Sequence, residues 1–403
     1  MAANISPSCS HTPRIPALDG LRGLAILMVM IHHFAGGLSS PTATGVTLFF
    51  SRLTGLGWCG VDLFFVLSGF LITSILYDTK NSPAPLRNFY ARRILRIFPL
   101  YYGLLCTLFI LLPLLAPNST PGVTKVAQNQ IWLWTYSSNF ATVFAKDETF
   151  RSGLVQAGHF WSLAVEEQFY LLWPFLVLSL RRATLVKFST ILILSMLALR
   201  LILVSSGLDR VYYLTPCRLD GLMMGSIVAL MLRGHHNIEH LIPHAKRLFA
   251  ITAIPLATLG ITSGLDPFAR PMTTIGFTLL AAFFTSILIF AQAGRFARLF
   301  NAAFVQFLGK YSYGLYVLHL ALEPIFTRLF GPSKLTTLFH HYWPARLTFI
   351  FLSISTSILL AYLSWHLYEK QFLKLKRFFD YNPNRTRPTS SLTFSATPSL
   401  RPA

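Results

Sequence analysis

Residues 18–34 read LDGLRGLAILMVMIHHF, and the apolar run they belong to extends to about residue 37. About 20 such residues, helical at 1.5 Å each, cross roughly 30 Å of hydrocarbon. The stretch nevertheless carries Arg22 near its start and His32 and His33 near its end. Arg22 and His33 are 11 positions apart, which at 100° per residue is about 20° past three full turns and about 16 Å along the axis. They share a face at opposite depths, whereas His32 falls about 80° off that face. An ionisable group within a span costs several kcal/mol unless it is paired or faces a cavity, so Arg22 and His33 are functional candidates. A histidine hydrogen-bonded to a neighbouring helix is the other reading of the same position.

The rest of the chain is of the same kind. Of 403 residues 53% are hydrophobic and 12% charged, with a mean hydropathy of +0.55. A soluble domain carries about 25% charged residues, so the composition predicts an all-α integral membrane protein. Apolar stretches at roughly 18–37, 57–77, 97–116, 160–180, 188–206, 216–232, 248–264, 272–293, 309–330 and 344–366 give about ten transmembrane helices, the sixth and seventh being the shortest. With ten spans, 23 Lys and Arg fall on the side of the N-terminus and 10 on the other, which places both termini in the cytoplasm. The net charge of +20 is then assigned to topology and anionic headgroups rather than to a nucleic acid. Residues 1–13 form a short cytoplasmic segment without signal-peptide character, 14–370 the membrane domain, and 371–403 a basic cytoplasmic tail expected to be disordered. The loop at 117–158 is expected to face outward over a cavity. Four dispersed cysteines support neither a disulfide framework nor a zinc site, and no metal is expected.

Five further segments place polar groups in apolar surroundings. GVDLFFVLSGFLIT (60–73) puts Asp62 near the outer surface and Ser68 deeper. VLSGF is no nucleophile elbow, since Val66 occupies the position that needs glycine, and Ser68 and Gly69 read as small residues for close helix packing. Asp62 could orient a histidine or satisfy a helix N-terminus. NFYARRILRIFPLYY (88–102), read as the loop into the third span, gathers Arg92, Arg93 and Arg96, which suit either phosphate binding or a positive-inside anchor. HFWSLAVEEQFYLLWPF (159–175) brings His159, Glu166 and Glu167 to the outer face, with Ser162 and Glu166 four residues apart and nearly on one side. CRLDGLMMGSI (217–227) holds Arg218 and Asp220. YSYGLYVLHLALEP (311–324) holds His319 and Glu323, an i, i+4 pair that suits a structural hydrogen bond as well as catalysis.

By depth these residues sort into two layers: Arg22, Arg92, Arg93 and Arg96 toward the cytoplasm, and His33, Asp62 and Glu166 toward the outside. A phosphate-rich donor could be held below with its reactive end above. Coenzyme A fits that spacing, its pantetheine arm being comparable to the ~16 Å rise between Arg22 and His33.

These six segments, in this order over about residues 14–370, resemble the signature motifs of the membrane acyltransferase 3 family, the bacterial O-antigen acetylases and related enzymes. The resemblance implies transfer of an acyl group, often acetyl, from cytoplasmic acyl-CoA to a hydroxyl of an extracytoplasmic or lipid-linked carbohydrate at the bacterial inner membrane. It implies no permanently bound cofactor: acyl-CoA is a substrate, and the other partners are a carbohydrate or glycolipid acceptor and membrane lipids. The family's basic residue and histidine fall on Arg22 and His33, its SxxE on Ser162 and Glu166, its acid on Asp62 and its arginine cluster on Arg92, Arg93 and Arg96. His33 is then expected to act as general base or acyl carrier, Asp62 or Glu166 to orient it, and the arginines to hold the donor's phosphates. Some members carry an added SGNH-type domain, and this chain is expected to be the stand-alone form. A proton-coupled transporter is the rival class, and the motifs leave the oligomeric state open.

Overall fold

A computed structural model describes residues 16–36, 45–115, 126–144, 149–208, 210–234 and 237–381. All ten apolar stretches are helical: α1 (Pro16–Ala35), α2 (Gly60–Asp78), α3 (Pro85–Cys106), α4 (Phe160–Ser179), α5 (Arg182–Ser205), α6 (Asp220–Leu232), α7 (Ile238–Ser263), α8 (Phe277–Gln292), α9 (Ala303–Ala321) and α10 (Tyr342–Ser364). Among the described residues seven helical segments are long and apolar enough to cross a membrane, namely those containing α1, α2, α3, α5, α7, α8 and α10. The other three are α4, rich in aromatic and polar side chains, α6, with 13 residues, and α9. At 1.5 Å per residue α6 is about 20 Å long and falls short of the hydrocarbon thickness. The chain is an all-α, multi-pass membrane protein, its strands among the described residues limited to a two-residue hairpin, Arg151–Ser152 with Val155–Gln156.

Two close helix contacts set the frame. α1 lies against α9 with Gly23 on the backbone of Val305 and Gly309 on the backbone of Asp19, where any added Cβ would collide with a carbonyl oxygen. α2 lies against α6 in the same manner, Gly69 meeting Leu222, and Thr73 hydrogen-bonds Ser226 across the seam at 2.8 Å. In lipid, where burying apolar surface adds little between helices, such small-residue contacts and interhelical hydrogen bonds hold the bundle. They fix α1 and α9 as neighbours, and with them His33 and His319.

Three boundaries differ from the sequence expectation. The segment carrying Arg92, Arg93 and Arg96 is helix rather than loop: α3 starts at Pro85, a residue whose fixed φ and missing N–H suit the first helical turn, and Ala, Arg and Leu continue it. The ninth stretch breaks at Leu322, because Pro324 cannot extend α9 and instead opens the short helix Glu323–Phe330. Residues 371–381 fall in the stretch expected to be a disordered tail; 371–379 continue the last helix, and the segment packs on α3, with Asn88 donating to the carbonyl of Asp380 at 3.0 Å. Residues 1–13 and 382–403 lie outside the described residues. Of the expected outer loop, the described residues 126–144 pack against α3, as Tyr101 and Tyr102 donate to the carbonyls of Leu133 and Trp134 at 2.8 and 3.0 Å.

Candidate active site

Two cavities lie one behind the other along α1. The one at the His33 end has a volume of about 690 Å³ and is lined by His33, His159, Trp161, Glu323 and Arg346, together with residues of the hairpin and its approach. The one at the Arg22 end is narrower, about 90 Å³, and is lined by Arg22, Arg93, Arg96, Ser68, Glu166 and Tyr316, among others. Between them stands Tyr316, whose hydroxyl donates to the carbonyl of His159 and meets Ser162 Oγ, both at 2.6 Å.

His33, which lines the larger cavity, is bonded to a second imidazole behind it. His319 is buried on α9, and its Nδ1 lies 2.9 Å from the carbonyls of Leu315 and of Tyr316. A carbonyl only accepts, so Nδ1 carries the proton and Nε2 presents a lone pair. That Nε2 is 2.9 Å from Nδ1 of His33, which must therefore carry a proton of its own. The hydrogen-bond partners thus assign His33 the tautomer with an unprotonated Nε2, free of any protein partner among the described residues. The carbonyls of one helix in this way set the protonation pattern of a side chain on another. His159 closes the group, its ring centroid 5.3 Å from that of His319.

The smaller cavity is built around Glu166. Ser68 donates to Glu166 Oε1 at 2.9 Å and Tyr170 to Oε2 at 3.0 Å. Arg93 stacks over Tyr170 with its guanidinium 4.8 Å from the ring centre, and Arg22 hydrogen-bonds Asp19 at 3.5 Å. Anions entering here would meet three arginines and one carboxylate.

Several expected placements are corrected by this geometry. Glu166 is in the inner layer with Arg22, not beside His33. It is seven residues inside His159 on α4, a descent of about 10 Å. It shares its cavity with Ser162, as the four-residue spacing requires, while Glu167 leaves Oε1 buried without a partner. Asp62 is buried and accepts from Arg218 Nη2 at 2.9 Å, so its partner is a guanidinium and not an imidazole. Ser68 bonds Glu166, whereas Gly69 alone makes the close helix contact. Arg92 points away from the cavity: it donates to the carbonyls of Lys376 and Phe379 and lies over the ring of Tyr381. Arg93 and Arg96, three residues apart, share the face that Arg92 leaves. Glu323 accepts from Thr327 at 2.6 Å and is no partner of His319, because the break at Leu322 turns it away. The structure adds Tyr316 and the His33–His319 contact to the residues that the sequence motifs single out. The triplet spacing of Tyr313, Tyr316 and His319 along α9 is the signal that carried them.

The fold and the site define a polytopic helical membrane protein with a paired-histidine centre above an arginine and carboxylate layer. Residues 15–366 match the acyltransferase domain family, and the chain belongs to that family. It is 30% identical to YrhL of Bacillus subtilis (strain 168), a candidate peptidoglycan O-acetyltransferase, over 89% of this chain and 55% of that protein. It is 28% identical to the O-acetyltransferase OatA of Staphylococcus aureus (strain NCTC 8325 / PS 47), over 77% and 51%. Identity to the peptidoglycan O-acetyltransferase OatA of Listeria monocytogenes is 30%, over 78% and 50%. The chain therefore spans about half the length of the curated relatives it matches. No solved structure matches it.

Proposed function

We propose that the protein is an O-acyltransferase that takes an acyl group, acetyl by analogy with its relatives, from cytoplasmic acyl-CoA and transfers it to a hydroxyl of an extracytoplasmic or lipid-linked carbohydrate. The observation that carries this reading is the unprotonated His33 Nε2 held at the large cavity by His319, with an arginine-lined cavity behind it. In this reaction Nε2 removes the proton of the acceptor hydroxyl as its oxygen attacks the acyl carbonyl carbon. The C–S bond then breaks and the departing CoA thiolate takes up the proton. Arg22, Arg93 and Arg96 hold the donor's anionic end, and Glu166, fixed by Ser68 and Tyr170, keeps that arginine layer in place. The acyl arm passes where Tyr316 and Ser162 meet. The termini lie in the cytoplasm, as the distribution of basic residues supports, and the membrane is the bacterial inner membrane that the family resemblance implies.

The test is release of free CoA by the full chain in nanodiscs, with acetyl-CoA and a panel of saccharide acceptors. Acceptor-dependent release supports the reading, and its absence across the panel sinks it. Within the same assay Arg93→Ala is expected to raise the KM for acetyl-CoA about 10- to 100-fold, the worth of a charge-assisted hydrogen bond, with acceptor KM unchanged. Arg92→Ala should change it far less. Equal effects from the two would return Arg92 to the donor site.

A further inference from the structure

The large cavity contains a charged group that acyl transfer leaves unused. Arg346 sits in the second turn of α10 and is 9% exposed. Its guanidinium backs onto the ring of Phe349 at 5.6 Å, and Phe349 packs edge-on to Phe34, the residue after His33. Nε is buried with no hydrogen-bond partner. Among the described residues the guanidinium makes no ion pair and no hydrogen bond to protein. Among the described residues the one carboxylate of the cavity, Glu323, has a hydroxyl partner in Thr327 and bears on Arg346 through space. Arg151, exposed on the hairpin, adds a second positive charge to the lining.

A nearly buried guanidinium without an acceptor is costly, and the cost is recovered when an anion fills the fork. A carboxylate suits it best, since its two oxygens match the planar donor pair. Resting on the carbohydrate-acceptor reading above, we propose that Arg346 selects the acceptor and that the acceptor is a saccharide bearing a free carboxylate. With that carboxylate on Arg346, a hydroxyl elsewhere on the sugar is presented in the cavity that His33 also lines. Arg346 thereby acts as a specificity residue and takes no part in the proton transfer.

Binding measured without donor tests this independently of turnover. The probes are glucuronate, galacturonate and N-acetylmuramate glycosides, each beside its methyl ester, with the phosphate ester of an otherwise uncharged sugar as a further arm, on the full chain in nanodiscs. At least one acid is expected to bind about 10-fold or more tightly than its ester. Arg346→Gln should lower the acid's affinity to that of the ester and leave the ester's unchanged, while Arg346→Lys retains part of the preference. Retained ester binding shows that the variant is folded, and should Arg346→Gln not fold, the lysine variant decides. Acids and esters binding alike to the wild type, or a preference that survives Arg346→Gln, overturns the proposal. A sugar phosphate bound more tightly than every acid overturns the carboxylate assignment. Failure of CoA release with every acceptor strikes the transferase reading instead, and leaves this comparison of affinities intact.

Discussion

Replacing His33 with alanine is expected to lower kcat/KM by about 10²- to 10⁴-fold with the KM for acyl-CoA nearly unchanged, the range for removing a positioned general base. The imidazole is the group in the large cavity whose tautomer is dictated: Leu315 and Tyr316 carbonyls hold the proton on His319 Nδ1, and His319 Nε2 holds the proton on His33 Nδ1. His319→Ala should then lower kcat without removing the base itself. As a positioning residue, its loss should also move the acidic limb of the kcat pH profile, because His33 would no longer be held to one tautomer. A residue that merely packed would change stability and leave the profile in place. Steady-state kinetics on nanodisc-embedded protein checks both. A His33→Ala enzyme with full activity refutes the assignment, and a His319→Ala enzyme with an unshifted profile refutes the relay. Single-turnover incubation with labelled acetyl-CoA and no acceptor separates direct transfer from an acyl-histidine, since label trapped on wild type and absent from His33→Ala requires the covalent route.

Much of this was legible in the residues because it depends on one helix at a time. The 11-residue spacing of Arg22 and His33 decides both their shared face and their different depths, and the two line different cavities accordingly. Ser162 and Glu166 fall on one face by the same arithmetic. The depth of Glu166 was also within reach, since seven residues inward from His159 is about 10 Å. Taken whole as an outer-face feature the motif places Glu166 beside His33, whereas the position of Glu166 along the helix does not. What single-helix arithmetic could not supply is which helices touch. Asp62 is 156 residues from Arg218, and nothing local to GVDLFF indicates a guanidinium partner rather than an imidazole. Arg92 and Arg93 are adjacent and chemically identical, and helical spacing turns them to different faces, but that residues 376–381 occupy the face of Arg92 is decided by packing. The relay itself depends on the glycine contacts that bring α9 onto α1.

Arg218→Ala is expected to destabilise the bundle by about 3–5 kcal/mol, the cost of leaving one member of a buried ion pair alone. Arg218 is fully buried with four rings, Phe277, Tyr212, Phe65 and Trp161, between 4.1 and 5.9 Å from its guanidinium carbon, and among the described residues its one ion-pair partner is Asp62. Truncation strands the Asp62 carboxylate in an aromatic interior with no donor to replace Nη2. Its Oδ2 is already unpartnered, as are Arg218 Nε and Nη1, so the pair is held more by the rings and by mutual attraction than by a full set of hydrogen bonds. A neutral pair of similar size, Asp62→Asn with Arg218→Met, should therefore recover most of the loss. Thermal unfolding in nanodiscs, followed by size exclusion, measures both variants. The double variant also decides the role of Asp62. If the pair only joins α2 to the segment entering α6, the refolded protein keeps its CoA release, and His33 needs no help from this carboxylate. If it folds and is inactive, Asp62 acts on the chemistry from a distance and the two-histidine relay is incomplete without it. An Arg218→Ala protein as stable as wild type would show that the carboxylate reaches water, contradicting the closed aromatic setting.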